Sequence, residues 1–199
     1  MRKLLAVAMM AAALGSGSAA LAEGSAEAGQ EKSGICAACH GPDGNSVNPA
    51  WPTLAGQHAK YLVTQLQTFK AGERQNDLMT PMAVGLSEQD MLDLAAFYEA
   101  QEPTGLEADA ELVERGRRIY VGGDLDRNIT ACAACHGPAG RGNPLAAYPR
   151  IAGQHATYTA ATLEGYAAGA HVNQMMQDIA ARMSAEDIRA VSAYVQGLR

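Results

Sequence analysis

Apolar residues recur along this chain with a helical period, and no stretch shows the strict alternation of a strand. From His58 to Ala71, Leu62, Leu66 and Phe69 share one face, and Gly72 stops the pattern. Ser87 stands as an N-cap with Asp90 three positions on, a capping-box arrangement. It opens a helix predicted to reach Ala100, with Met91, Leu94, Ala95 and Tyr98 on the inner face. A further helix is predicted over 26–39. The segment from Gly41 to Gly56 is rich in Pro, Gly and Asn and reads as loop. The same series then returns, with helices expected over Leu112–Tyr120, His155–Gly169 and Ser184–Leu198. The expected fold is all-α, in two lobes of three or four helices each.

The recurrence is a tandem repeat at an offset of 96 to 97 residues. CAACHGPDGN from Cys36 matches CAACHGPAGR from Cys132, and PTLAGQH from Pro52 matches PRIAGQH from Pro149. Tyr61 matches Tyr158, and Ser87–Asp90 matches Ser184–Asp187. The copies differ in one place. Gly29 lies 7 positions before Cys36, whereas Gly116 lies 16 before Cys132. The second copy thus carries an insertion around Val121–Ile129, with Gly122-Gly123 as a turn. Glu102-Pro103-Thr104-Gly105 breaks the preceding helix and reads as a linker.

One apolar run is not part of the fold. Leu4–Leu14 carries no charge, follows Arg2 and Lys3, and precedes Ala20-Leu21-Ala22, a small-x-small cleavage site. This is the pattern of a secretory signal peptide, cleaved near Ala22/Glu23. The run is too short to span a bilayer, which needs about 20 apolar residues. The expected organisation is a signal peptide over 1–22, an N-terminal domain over 23–103 and a C-terminal domain over 104–199. Localisation is expected to be periplasmic, with at most peripheral membrane association.

Composition sharpens this picture. The 199 residues are 48% hydrophobic and 18% charged but only 5% aromatic, few rings for two cores. The formal net charge is −6, and it becomes −8 once Arg2 and Lys3 leave with the leader. An acidic chain without a basic run lacks the footprint that nucleic-acid binding requires.

The four cysteines supply the chemistry. Cys36, Cys39, Cys132 and Cys135 form two CAACH motifs, each closed by a histidine, His40 or His136. C-x-x-C-H is the attachment signature of c-type haem. Two thiols at this spacing sit on one side of a helical turn and add to the two vinyl groups of haem as thioethers. The following histidine then offers its imidazole to the iron. A redox dithiol would leave both histidines unexplained. A four-cysteine zinc site and two structural disulfides are weaker rivals, since a two-residue spacer closes a strained disulfide loop. The expected cofactors are two covalently attached haem c groups, whose apolar faces would offset the scarcity of aromatic side chains.

An iron so held needs a sixth ligand or stays open for chemistry. Met79 and Met176 are 97 apart, and each lies eight positions before its capping serine, in the expected loop ahead of the last helix. Met82 is matched by Ile179 and Met175 by Leu78, so neither repeats; Met91 and Met183 read as core. His58 and His155 also match in register, leaving bis-histidine ligation as the alternative to a surface or helix-start role. His171 has no counterpart and is expected to face solvent.

With two CAACH motifs, register-matched methionines and a leader, the chain resembles the dihaem cytochrome c4 family over its whole mature length. The resemblance implies two tandem class I cytochrome c lobes facing each other, in a periplasmic electron carrier. It implies that Pro52 and Pro149 give their carbonyls to the ring N–H of His40 and His136, with Leu54 and Ile151 against the porphyrins. It further implies a terminal oxidase, notably of the cbb3 type, as acceptor, with a quinol-oxidising complex or dehydrogenase as donor. Histidine–methionine ligation of both irons leaves no site for substrate, so the expectation is an electron carrier rather than an enzyme. The alternatives are the dihaem subunit of a flavin sulfide dehydrogenase or another dehydrogenase and, with less support, a dihaem peroxidase.

Overall fold

The computed structural model describes residues 23–199, so the leader reading of 1–22 lies outside the described residues. The first half forms α1 (Ala26–Lys32), α2 (Gly34–His40), α3 (Ala59–Lys70), α4 (Met79–Val84) and α5 (Glu88–Glu99). The second forms α6 (Val113–Gly122), α7 (Ala133–His136), α8 (Ala156–Ala167), α9 (Gln174–Ala180) and α10 (Ala185–Gly197). Among the described residues the only β pairing is two isolated bridges, Asp124 with Ile129 and Asn143 with Tyr148. The fold is therefore all-α in two lobes.

Each lobe has five helices rather than three or four, because short helices separate from the long ones. The single helix expected over 26–39 breaks at Ser33. Its hydroxyl donates to the Gln30 carbonyl at 2.8 Å, which draws an acceptor away from the helical ladder, and Gly34 follows. The long helices keep close to their expected bounds. Gly72, at φ +75°, turns the chain out of α3. At α5 and α10 the capping boxes form in full. Ser87 and Ser184 accept from the amides of Asp90 and Asp187, whose carboxylates accept the serine amides in return. Such a cap contributes about 1 kcal/mol.

In each lobe the first helix crosses the last, α1 on α5 and α6 on α10, while α3 and α8 lie against those same last helices. Leu62, Leu94, Ala95, Phe97 and Tyr98 centre the first core. Ile119, Tyr120, Ile129, Val191 and Val195 centre the second. Ile129 belongs to the insertion, which therefore adds to the core. Gly123 starts the insertion at φ +67°, the Asp124–Ile129 bridge closes it, and Arg127 reaches back to the fully buried Asp187. Met183, read as core, lies half-buried against this core in the turn between α9 and α10.

Residues 102–109 have no regular structure but are tied down. Asn45 donates from Nδ2 to the Glu102 carbonyl at 3.0 Å and accepts the Thr104 amide at 2.8 Å. Among the described residues no helix is long and apolar enough to cross a membrane.

Candidate haem sites

Both CAACH motifs are helical. In α2 the spacing i, i+3, i+4 carries Cys36, Cys39 and His40 to one side of the turn; in α7 Cys135 and His136 follow Cys132, which caps the helix. Gly41 and Gly137, at φ +81° and +76°, turn the chain sharply away after each histidine. All four thiols are unpaired and half-buried. Burial pushes the Cys36 thiol up and the Cys132 thiol up to about 11, so before haem attachment both are neutral thiols at physiological pH.

His40 and His136 are buried, 6% and 8% exposed. Each ring is fixed by one bond. Nδ1–H of His40 donates to the Pro52 carbonyl at 2.9 Å, and that of His136 to the Pro149 carbonyl at 3.0 Å. A carbonyl can only accept, so the proton sits on Nδ1 and the lone pair on Nε2. Burial holds both imidazoles below their ordinary pKa, opposed only in part by the proline carbonyls. The outcome is a neutral imidazole of fixed tautomer and orientation, the form that binds a metal.

Met79 and Met176 are both half-buried, but neither lies in a loop. Met79 is the first residue of α4, and Met176 the third of α9. An asparagine three residues earlier fixes each backbone. Asn76 Oδ1 accepts the Met79 amide at 2.9 Å, and Asn173 Oδ1 accepts the Met176 amide at 3.1 Å. These asparagines escaped the sequence reading, although N-x-x-M at a matched offset was there to be seen. Met82 is 44% exposed and Met91 1%, on the surface and in the core respectively.

The surroundings fit a large apolar group. Helix α8 is mostly Ala, Thr, Leu and Tyr, yet none of its twelve residues is buried. Leu54 and Ile151 are only half-covered, each packed on its lobe's core. The buried Tyr98 hydroxyl has no hydrogen-bond partner and lies in the cluster on which Cys36 packs. Half-covered apolar faces around two thiols and a neutral imidazole are the donor set and the walls that a covalent haem requires.

His58 and His155 stand at helix starts, as the N-cap residues of α3 and α8, with His155 buried and His58 half-buried. His58 Nε2 meets the Arg141 carbonyl at 2.9 Å and His155 Nε2 meets the Ser46 carbonyl at 2.8 Å, both across the lobe boundary. Both rings therefore bridge the two lobes. His171 is half-buried rather than solvent-facing, packed edge-on to Tyr166 with ring centroids 5.1 Å apart. The lobes are joined further by Arg74, which donates to the Tyr158 hydroxyl at 3.1 Å, and by reciprocal bonds of Gln57 and Gln154.

The family model for cytochrome c matches residues 26–100 and 113–199. The chain is 49% identical over 180 residues to cytochrome c4 of Thiocapsa roseopersicina, covering 88% of this chain and 93% of that protein. It is 40% identical over 166 residues to a thiosulfate dehydrogenase electron acceptor of Stutzerimonas stutzeri, covering 80% and 76%. The crystal structure of reduced cytochrome c4 from Pseudomonas stutzeri superposes with a TM-score of 0.86 at 44% identity, covering 88% of this chain and 100% of that one.

Proposed function

The chain belongs to the cytochrome c family, as a dihaem electron-transfer protein of the cytochrome c4 type with two covalent haem c groups, and from this premise we propose which residues hold the haems and where the electrons go. Cys36 and Cys39 carry the first haem and Cys132 and Cys135 the second. His40 and Met79 bind the first iron, His136 and Met176 the second. The domains divide at 103/104, the leader is removed, and the carrier works in the periplasm.

Each iron, when bound, takes up and releases one electron. The chain's own residues do the rest. Burial keeps the imidazoles neutral, and Pro52 and Pro149 hold them oriented, so that Nε2 can bind without reorganising. Asn76 and Asn173 anchor the backbone from which the methionines reach. A methionine ligand paired with histidine would raise the potential relative to harder ligand pairs, and with both ligands bound no position would be left for substrate. The observation that carries this reading is the two-fold recurrence of one set: paired thiols, a carbonyl-held neutral histidine, and an asparagine-anchored methionine.

The acceptor proposed is a terminal oxidase of the cbb3 type, with a quinol-oxidising complex or dehydrogenase as donor. A second reading is favoured by the similarity to a thiosulfate dehydrogenase electron acceptor: this chain would take electrons from one dedicated dehydrogenase. A spectro-electrochemical titration tests the carrier itself. The mature protein should keep the mass of two haems through acid-acetone extraction and titrate as two one-electron steps. Extractable haem, or a single step of one electron, would refute the assignment. Copurification of a dehydrogenase would select the second reading.

A further inference from the structure

The lobe boundary contains a hydrogen-bond pattern that reads the same from either side. Gln154 Oε1 accepts the Thr53 amide at 2.9 Å, and its Nε2 donates to the Thr53 carbonyl at 3.0 Å. Gln57 Oε1 accepts the Arg150 amide at 2.9 Å, and its Nε2 donates to the Arg150 carbonyl at 2.7 Å. The orientation of each side-chain amide is fixed by its neighbours. Each Oε1 also accepts the amide of the next residue, His155 or His58, at 3.1 Å, so a flipped amide would set NH2 against two N–H donors.

The positions of Thr53 and Arg150 matter. The Thr53 amide N–H and the Pro52 carbonyl belong to one peptide group. That carbonyl accepts His40 Nδ1–H, while the N–H of the same group donates to Gln154 from the other lobe. The Pro149–Arg150 peptide stands likewise between His136 and Gln57. Each histidine is thus one peptide group away from a glutamine of the opposite lobe.

We propose that Gln57 and Gln154 are crossed positioning residues: each sets the strength of the hydrogen bond on the iron-binding histidine of the other lobe, and so that haem's potential. The inference rests on His40 and His136 being the iron ligands. A peptide whose N–H is engaged is a more polarised group with a better acceptor carbonyl, by about 10–30% per bond in a chain. A stronger carbonyl draws the Nδ1 proton further and gives the imidazole more anionic character at Nε2. A more anionic ligand favours the oxidised iron. The crossed bond therefore holds each potential down, and docking of the lobes is part of what sets both potentials.

The test uses the dihaem protein with Gln154→Met and Gln57→Met, which keep the side-chain length and remove the amide. Two quantities are read: the potential of each haem, and the Nδ1–H proton shifts of His40 and His136 in the reduced state. Gln154→Met should raise the potential of the N-terminal haem and move the His40 Nδ1–H signal upfield, leaving His136 in place. Gln57→Met should do the reverse. Gln154→Asn, which keeps the amide but lacks the reach, should act as Gln154→Met does and covers a failure of the methionine variant to fold. A variant that only loosened the boundary would admit water to both haems and lower both potentials. That result, a change in the glutamine's own lobe, or no change at all would overturn the proposal. In the unsubstituted protein both Nδ1–H signals must carry the ring-current shift of an imidazole facing a porphyrin. Their failure to do so would overturn the ligand assignment itself, separately from the crossed coupling.

Discussion

Replacing Gly116 with alanine tests whether the crossing of α6 and α10 frames the second haem site. A Cβ on Gly116 would stand 2.1 Å from the Ala190 carbonyl oxygen and 2.7 Å from Tyr194 Cβ. The first neighbour is backbone within α10 and cannot rotate away. Ordinary contact begins at 3.4 Å, so the helices must part by about 1 Å along their closest approach. Overpacking of this kind costs about 1–3 kcal/mol, and a backbone-to-backbone clash belongs at the upper end. Its effect reaches the site, because α6 carries Tyr120, whose hydroxyl donates to the Gly137 carbonyl at 2.6 Å, one residue beyond His136. Gly34→Ala is the matched control: it opens α2, has nothing within 4 Å of the new Cβ, and should gain up to about 1 kcal/mol from helix propensity. Urea unfolding followed by far-ultraviolet circular dichroism gives both values. Gly116→Ala should lower the stability of the C-terminal lobe by about 3 kcal/mol without changing the denaturant slope. A loss below about 0.5 kcal/mol, the range of ordinary surface changes, would refute the close-crossing argument.

Burial, aided by the nearby Arg74 charge, pushes the His171 imidazole down to about 4. The folded protein therefore holds this ring neutral while the unfolded chain protonates it below about pH 6.5, so its stabilising share is complete above that pH and shrinks as pH falls toward 4. His171→Phe should shrink the stability difference between pH 7 and pH 5; an unchanged difference would show that the ring titrates normally. The second expectation concerns docking. Residues 23–199 are acidic by −8 and expose apolar side chains such as Val47 and Leu145, 95% and 90% exposed. Turnover with an isolated cbb3-type oxidase should depend only weakly on ionic strength, since salt screens long-range charge and not apolar contact. A steep fall in rate between low and physiological salt would contradict this.

The parts of the fold set by local rules were legible in the sequence. Ser87 and Ser184 announced their helices because a cap is read within four residues, and Gly72 ended α3 for an equally local reason. The haem motifs were legible because thioether chemistry fixes their spacing, and the repeat singled out Met79 and Met176 among nine methionines as the proposed iron ligands. What escaped was non-local. The break at Ser33 depends on a hydroxyl choosing a backbone carbonyl over water. The short helices holding Met79 and Met176 are stabilised by asparagine side chains that accept their first amides and by packing on α3 and α8, too short to show a period. What His58, His155, Gln57 and Gln154 bind was not legible, because their partners, Arg141, Ser46, Arg150 and Thr53, lie 83 to 109 residues away. Matched register singled out His58 and His155 but could not say what they would contact.

The histidine–methionine pair proposed for each lobe is tested most directly by the long-wavelength methionine-to-iron absorption band of the oxidised protein, compared across Met79→Ala, Met176→Ala and Met82→Ala. Met79→Ala and Met176→Ala should each remove one haem's share of the band, lower that haem's potential and let cyanide bind there, while Met82→Ala should leave the band whole. A full band in Met79→Ala or in Met176→Ala, or a diminished one in Met82→Ala, would contradict it.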